Sequence, residues 1–287
     1  MRNVVFFSGL PESGQQVLFE NLKSRFDVQM ASQSLDRPVL DFARWLVSGR
    51  RVRELLGHAA PSAVGEVVWQ LYVSVYGRTK SDTVVIDDSP EWIRNLEIMR
   101  VFTPALKMVV FARDLATLYP VVESKLLETH DAFSFPEMAY DRAMFVLGQG
   151  HELGRALAGM RNMVDVGTPQ NLYLAKYEAI IADPVAVATD VARFLELAPA
   201  SLAGAPLPHI QPSPVPPIPP RIAAYIAGEF AWYFRDLGYG QVGQALRASS
   251  PTVAPSVGPI SPAEDKMIAD LERAIKEETA LPGDAAR

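Results

Sequence analysis

Residues 8–17 read Ser8-Gly-Leu-Pro-Glu-Ser-Gly-Gln-Gln-Val17, "SGLPESGQQV". Before them, Asn3-Val-Val-Phe-Phe7 is an apolar run of the kind that fills a strand buried on both faces. After them, Leu18-Phe-Glu-Asn-Leu-Lys23 has helical spacing. A strand, a glycine turn and a helix N-terminus together form an anion cradle, because the turn amides and the first-turn N–H groups converge. Gly9 and Gly14 stand as in the phosphate loop G-x-x-x-x-G-K-[ST], but Gln15 and Gln16 replace its lysine and its hydroxyl residue. The lysine would face β- and γ-phosphates and the hydroxyl would hold magnesium, so a conventional ATP or GTP phosphotransferase is disfavoured.

Three further apolar runs end in charged residues. Thr83-Val-Val-Ile-Asp87 delivers Asp87 and Asp88 at its carboxyl end. Lys107-Met-Val-Val-Phe-Ala112 leads straight into Arg113 and Asp114. Asn171-Leu-Tyr-Leu-Ala175 runs into Lys176, Tyr177 and Glu178. Strands are therefore expected near 3–8, 83–87, 107–112 and 171–175. Between and around them, helical patterns span 14–25, 62–76, 91–102, 115–128, 135–161, 184–195 and 222–237, with mixed patterning over 38–57. Strands alternating with helices predict a three-layer α/β/α domain with a central parallel sheet over residues 1–247. The proline-dense segment 206–220 lies inside it and forms no regular element. The aromatic group Phe230, Trp232, Tyr233 and Phe234 is expected in the core.

Residues 248–261 read as a flexible linker and 262–287 as a C-terminal amphipathic helix. Ser261 caps it, Pro262 opens it and Glu264 completes a capping box. Met267, Leu271 and Ile275 form one narrow apolar stripe, which predicts docking, with a homodimer through this helix as the expected partner. The 287 residues carry a net charge of −6, which speaks against broad nucleic-acid binding. Without cysteine there is no disulfide, thiolate nucleophile or cysteine metal site. His58, His130, His151 and His209 are scattered without metal-ligand spacing, so no metal is expected. No run approaches transmembrane length, and the expected setting is cytoplasmic.

The stretches "GLPESGQQVLFENL", "VVIDDSPEWIRNLEIMRVFTPALKMVVFARDL" and "LAKYEAIIADPVAVATDVARFLEL" follow one another in that order. Together they resemble the bacterial and phage-type sulfotransferases, whose donor is 3′-phosphoadenosine 5′-phosphosulfate (PAPS), over about residues 3–197. The resemblance implies a P-loop-like fold and a sulfuryl transfer from PAPS to a hydroxyl or amine acceptor, leaving 3′-phosphoadenosine 5′-phosphate (PAP). It implies that Pro11, Glu12, Ser13, Gly14, Gln15, Gln16 and Val17 surround the donor's 5′ end. Arg113 matches the arginine that pairs with the 3′-phosphate. Ser124 lies one turn beyond Val121, where the family pattern has a serine. Tyr177-Glu178 matches a structural tyrosine–acid pair, and Asp183-Pro184 matches the stop before the last family helix.

The chain departs from that pattern at its centre. Glu12 replaces the loop arginine, Gln15 and Gln16 replace its hydroxyls, and Asp88 replaces a common lysine. Where family members often carry an acidic base, the chain has Ala31-Ser-Gln-Ser34, with Asp36 the nearest acid. Asp87 and Asp88 are then the candidate general bases. Blander alternatives stand beside each assignment. Gly9 and Gly14 also suit a plain βα turn, Arg113 a surface ion pair with Asp114 or Glu123, and Asp87 and Asp88 a solvated pair or a helix cap. The expected function is a sulfotransferase-like transferase with an altered donor site. The alternatives are a P-loop-type phosphotransferase, related to nucleotide or nucleic-acid kinases, and a catalytically inactive binding or scaffold protein on the same fold.

Overall fold

The computed structural model describes residues 4–31, 34, 36, 38–42, 70, 72, 83–102, 107–129, 138–166, 171–197 and 216–248. Most of the expected helix 62–76, most of the 38–57 segment, the proline-dense stretch up to 215, the linker from 249 and the C-terminal helix lie outside the described residues, while residues 70 and 72 are helical and residue 248 closes the last described helix.

The apolar runs form strands as expected. They are β1 (Val4–Gly9), β3 (Val84–Asp88), β4 (Met108–Ala112) and β5 (Leu172–Lys176), with a short β2 (Val28–Met30) that the sequence pattern did not reveal. The sheet has five strands in the order β2-β3-β1-β4-β5, and every pairing is parallel. Parallel neighbours need crossovers, and helices supply them on both faces. The helices are α1 (Gln15–Lys23), α2 (Glu91–Arg94), α3 (Leu96–Phe102), α4 (Leu115–Thr129), α5 (Ala139–Leu147), α6 (Glu152–Val166), α7 (Tyr177–Ala182), α8 (Pro184–Leu195), α9 (Pro220–Glu229), α10 (Ala231–Asp236) and α11 (Gly240–Ala248).

Strand alternation divides the core in two. Val4, Phe6, Val85, Met108 and Val110 face a layer built by α2 to α6 and α9 to α11. Val5, Phe7, Ile86, Val109 and Phe111 face Leu18 and Leu22 of α1, Ile180 of α7 and Val191 of α8. The architecture is therefore three layers, α/β/α. The aromatic group near the end is core, with Tyr233 fully buried.

Three expected helices are broken. The 91–102 pattern divides at Asn95, whose amide is shared between the carbonyls of Glu91 and Trp92. The 135–161 pattern divides after Leu147, where Gly148 turns to an extended ψ of 178°. The 222–237 pattern divides at Phe230, which leaves helical geometry at φ −103°. Hydrophobic spacing continues across each break, so periodicity alone does not mark them.

The topology directs the ligand end. From β1 the chain goes to one side for β2 and β3 and to the other for β4 and β5, so β1 adjoins the switch point. In open parallel sheets the crevice beyond the carboxyl ends of such strands is where ligands bind. Three of the singled-out groups converge there: the loop after β1, Asp87 and Asp88 ending β3, and Arg113 directly after β4.

Candidate functional site

Gly9 closes β1 at φ +126°, and a Cβ there would sit 2.3 Å from the Phe111 carbonyl oxygen. Only glycine lets β1 lie this close to β4 while turning out of the sheet. Leu10 donates its amide to the Phe111 carbonyl at 3.0 Å, then the chain curls through residues 11–14. Glu12 is left-handed at φ 54°, and Gly14 precedes α1 at φ 92°. No side chain caps α1, so its first-turn amides face the loop without a protein oxygen from the cap position.

The two glutamines behave differently. Gln15 folds back into the loop, donating from Nε2 to the Leu10 carbonyl at 2.7 Å and accepting the Ser13 amide at Oε1, 3.1 Å. It thus fills part of the cradle with its own amide. Gln16 lies along the helix and donates to Glu20 at 2.8 Å. Ser13 is buried, and its hydroxyl donates to the Pro11 carbonyl at 3.2 Å.

Arg113 joins the loop to the sheet. It is 8% exposed, and Nη1 donates to the Glu12 carbonyl at 2.7 Å. Its guanidinium lies 4.0 Å over the Tyr177 ring, and its buried Nε has no hydrogen-bond partner. It is not an exposed partner of Glu123, which pairs with Arg142 at 2.9 Å. The backbone of Arg113 is held by Tyr233 of α10, whose hydroxyl donates to the Arg113 carbonyl at 2.8 Å. Glu178 accepts the Asp114 amide at 2.8 Å on one oxygen and the Tyr239 hydroxyl at 2.9 Å on the other. The Tyr177-Glu178 pair therefore orients the end of β4, as a structural pair would.

Glu12 points its carboxylate toward α4, where Lys125 meets it at 2.6 Å. The sequence offers no local signal for this pair, which spans 113 positions. Ser124, one residue earlier, faces away: it is exposed and its hydroxyl donates to the Pro120 carbonyl at 2.8 Å. It is not among the residues lining the cavity described below.

The neighbouring carboxylates have separate environments. Asp87 is fully buried and accepts hydrogen bonds from the Tyr72 hydroxyl and the Trp92 indole. Asp88 opens onto solvent at the strand end. Protein surrounding that concave position still strips away hydration, and this burial, with the charges of Asp87 and Glu152, pushes its pKa up to about 7. Burial, with Glu12 and Glu91 adding to it, also raises Glu152, against the lowering effect of Arg155. Asp36 accepts from the Ser89 hydroxyl at 2.5 Å, just beyond β3.

A cavity of about 340 Å³ is lined by Glu12, Gly14, Gln15, Gln16, Val17, Asp88, Arg113, Tyr177 and Ile181. Most of the donor-side residues read from sequence thus share one cavity with Asp88. Chemically it offers loop amides, a guanidinium and, at Asp88, a carboxyl with a raised pKa. Among the described residues, no group of three or more His, Asp or Glu is placed to hold a metal ion. Nor is any described helix long and apolar enough to cross a membrane.

A sulfotransferase from Alicyclobacillus acidocaldarius superposes with a TM-score of 0.55 at 14% identity, covering 86% of this chain and 99% of that one. The fold is sulfotransferase-like. The sulfotransferase domain of a Synechococcus olefin synthase aligns at 16% identity over 98% of this chain and 96% of its own, with a TM-score of 0.42. A mouse sulfotransferase complexed with PAP aligns at 12% identity over 96% of this chain and 88% of its own, also at 0.42. These two superpose too loosely to add weight. No family model and no curated protein sequence matches the chain.

Proposed function

We propose that this chain is a PAPS-dependent sulfuryl transferase with a rebuilt donor loop. One observation carries the proposal: the loop before α1, Arg113 and Asp88 border the same cavity at the carboxyl end of the parallel sheet. The donor set suits an anionic phospho-ligand. The α1 N-terminus offers uncapped amides, and buried Arg113 keeps an unpartnered Nε beside them. The acid in the loop, Glu12, is already neutralised by Lys125. The loop has neither the lysine nor the hydroxyl of a magnesium–nucleotide site, which weighs against a phosphotransferase.

PAPS, when bound, supplies an activated sulfuryl group and needs no metal. The amides of Glu12 and of residues 14–17 hold the anionic end of the donor, and Arg113 both braces the loop and offers the cation. Asp88 takes the proton from the acceptor hydroxyl or amine. A carboxyl raised toward neutrality is a stronger base than an ordinary aspartate, and it stays ionised in enough molecules near pH 7 to act. Asp87, tied to Tyr72 and Trp92, holds the strand end rather than moving a proton.

Calorimetric titration with PAP, 5′-AMP and magnesium ATP tests this. PAP should bind at least about tenfold more tightly than AMP, a difference of 1.4 kcal/mol. Preference for magnesium ATP would overturn the proposal. A catalytically silent binding protein is favoured by one observation, the Gln15 side chain lodged on the Ser13 amide. Tight PAP binding with no transfer from PAPS to any acceptor of a hydroxyl and amine panel would select that alternative.

A further inference from the structure

Glu12 combines a left-handed backbone at φ 54° with an ion pair to Lys125 at 2.6 Å. The left-handed conformation is unfavourable for a non-glycine residue, because Cβ crowds the following carbonyl oxygen. An ion pair open to solvent contributes little to stability, and both side chains here are well exposed, 42% and 57%. The pair therefore does not offset the cost of placing glutamate at this turn. The carbonyl of Glu12 is meanwhile fixed by Arg113 at 2.7 Å. The backbone is pinned while the carboxylate and the ammonium stay free to part. Glu12 lines the cavity, and Lys125, just outside that lining, meets the Glu12 carboxylate from α4. Beside them, Arg113 also lines the cavity, and its buried Nε has no hydrogen-bond partner.

We propose that Lys125 is an anion-binding residue of this cavity, held in reserve by Glu12 and transferred to the ligand's phosphate or sulfonate oxygens when it arrives. This rests on the donor site proposed above and adds the source of the positive charge that the loop itself lacks. The lysine stem is long and its ammonium donates in any direction, so it can exchange one carboxylate for another oxyanion without backbone movement. Glu12 acts as the placeholder anion. Its release to solvent as the ligand binds leaves Lys125 paired throughout. The choice of lysine on a helix over arginine in the loop makes the cation removable, and ties anion affinity to the Glu12 carboxylate.

The test is calorimetric titration of PAP and of inorganic pyrophosphate into the full chain, for the wild type, Lys125→Met, Lys125→Arg and Glu12→Gln. Lys125→Met should weaken both ligands about tenfold or more, the scale of one charge-assisted contact. Lys125→Arg should recover most of that loss, and Glu12→Gln should tighten both ligands because the lysine no longer has a competing partner. All three variants should melt close to the wild type, as expected for an exposed pair. If the wild type binds PAP and Lys125→Met binds it equally well, the inference is overturned while the donor assignment stands. If pyrophosphate responds to the variants as described but PAP binds no better than AMP, Lys125 keeps its role and the PAPS assignment fails. Failure of the wild type to bind either ligand overturns both.

Discussion

Arg113 donates from Nη1 to the carbonyl of Glu12 across 101 sequence positions, at 2.7 Å. One guanidinium thereby fixes the loop after β1 to the end of β4, with its flat face on Tyr177. Arg113→Ala should weaken PAP by about 2 kcal/mol or more, the loss of a charge-assisted contact together with the loop's brace. Arg113→Lys should recover little, because an ammonium has neither the planar face nor the fork. Titration calorimetry reads both, and full affinity in the lysine variant would mean that only the charge matters.

Gln15 is expected to act as an internal stand-in for a ligand. Gln15→Ala removes two hydrogen bonds within the loop and should lower stability by about 1 kcal/mol. It also frees the Ser13 amide, so PAP should bind more tightly in spite of the lower melting point. A fall in affinity would show instead that the Gln15 side chain itself touches the ligand.

Asp88 should set the pH response. Its folded pKa of about 7 lies above the ordinary 3.8, so between those values the folded chain holds a proton that the unfolded chain has released. Stability from this group is therefore present below about pH 4, falls as pH rises toward 7, and is flat above. Urea denaturation across that window should show Asp88→Asn gaining on the wild type as pH increases. Sulfuryl transfer should do the opposite, rising through pH 7 in the wild type as the base ionises and remaining low in Asp88→Asn.

The adjacent residue should behave as a structural group. Asp87→Ala leaves the Trp92 indole and the Tyr72 hydroxyl without their acceptor in a dry site, at a cost of about 3 kcal/mol. Thermal melts of Asp87→Ala and Asp88→Asn should therefore separate clearly, and equal melting points would show that the pair shares one role.

Gly9→Ala places a methyl group 2.3 Å from the Phe111 carbonyl and on a backbone at φ +126°. Steric overlap and a left-handed conformation together should cost at least about 3 kcal/mol. Soluble yield and melting temperature test this.

The sheet was legible because its four long strands are continuous apolar runs, each ending in or followed at once by a residue of another character: Gly9, Asp88, Arg113 and Lys176. β2 escaped because three residues, Val28–Met30, give no period to detect. In the site, Arg113 and the loop could be placed from their positions at strand ends. The difference between Asp87 and Asp88 could not, since it depends on Trp92 and Tyr72 arriving from other elements. Lys125 was invisible for the same reason: in sequence it is one more charge on a helix, and only the fold brings it to Glu12. Ser124 was named from the family resemblance, one turn beyond the position where the pattern has a serine, and its hydroxyl is engaged with the Pro120 carbonyl in its own helix.

Tyr233 and Tyr239, which hold the carbonyl of Arg113 and the carboxylate of Glu178, belong to the last described stretch, 216–248. The cradle is thus not a portable cassette. Residues 8–17 transplanted onto another parallel sheet would carry the amides but lose the strand end that aims the guanidinium at them. A chain shortened before Pro216 would keep every loop residue and every strand, yet leave the arginine's backbone untethered. Supplying the 216–248 segment as a separate peptide is then the natural repair, and anion binding, more than fold content, is the property it should restore.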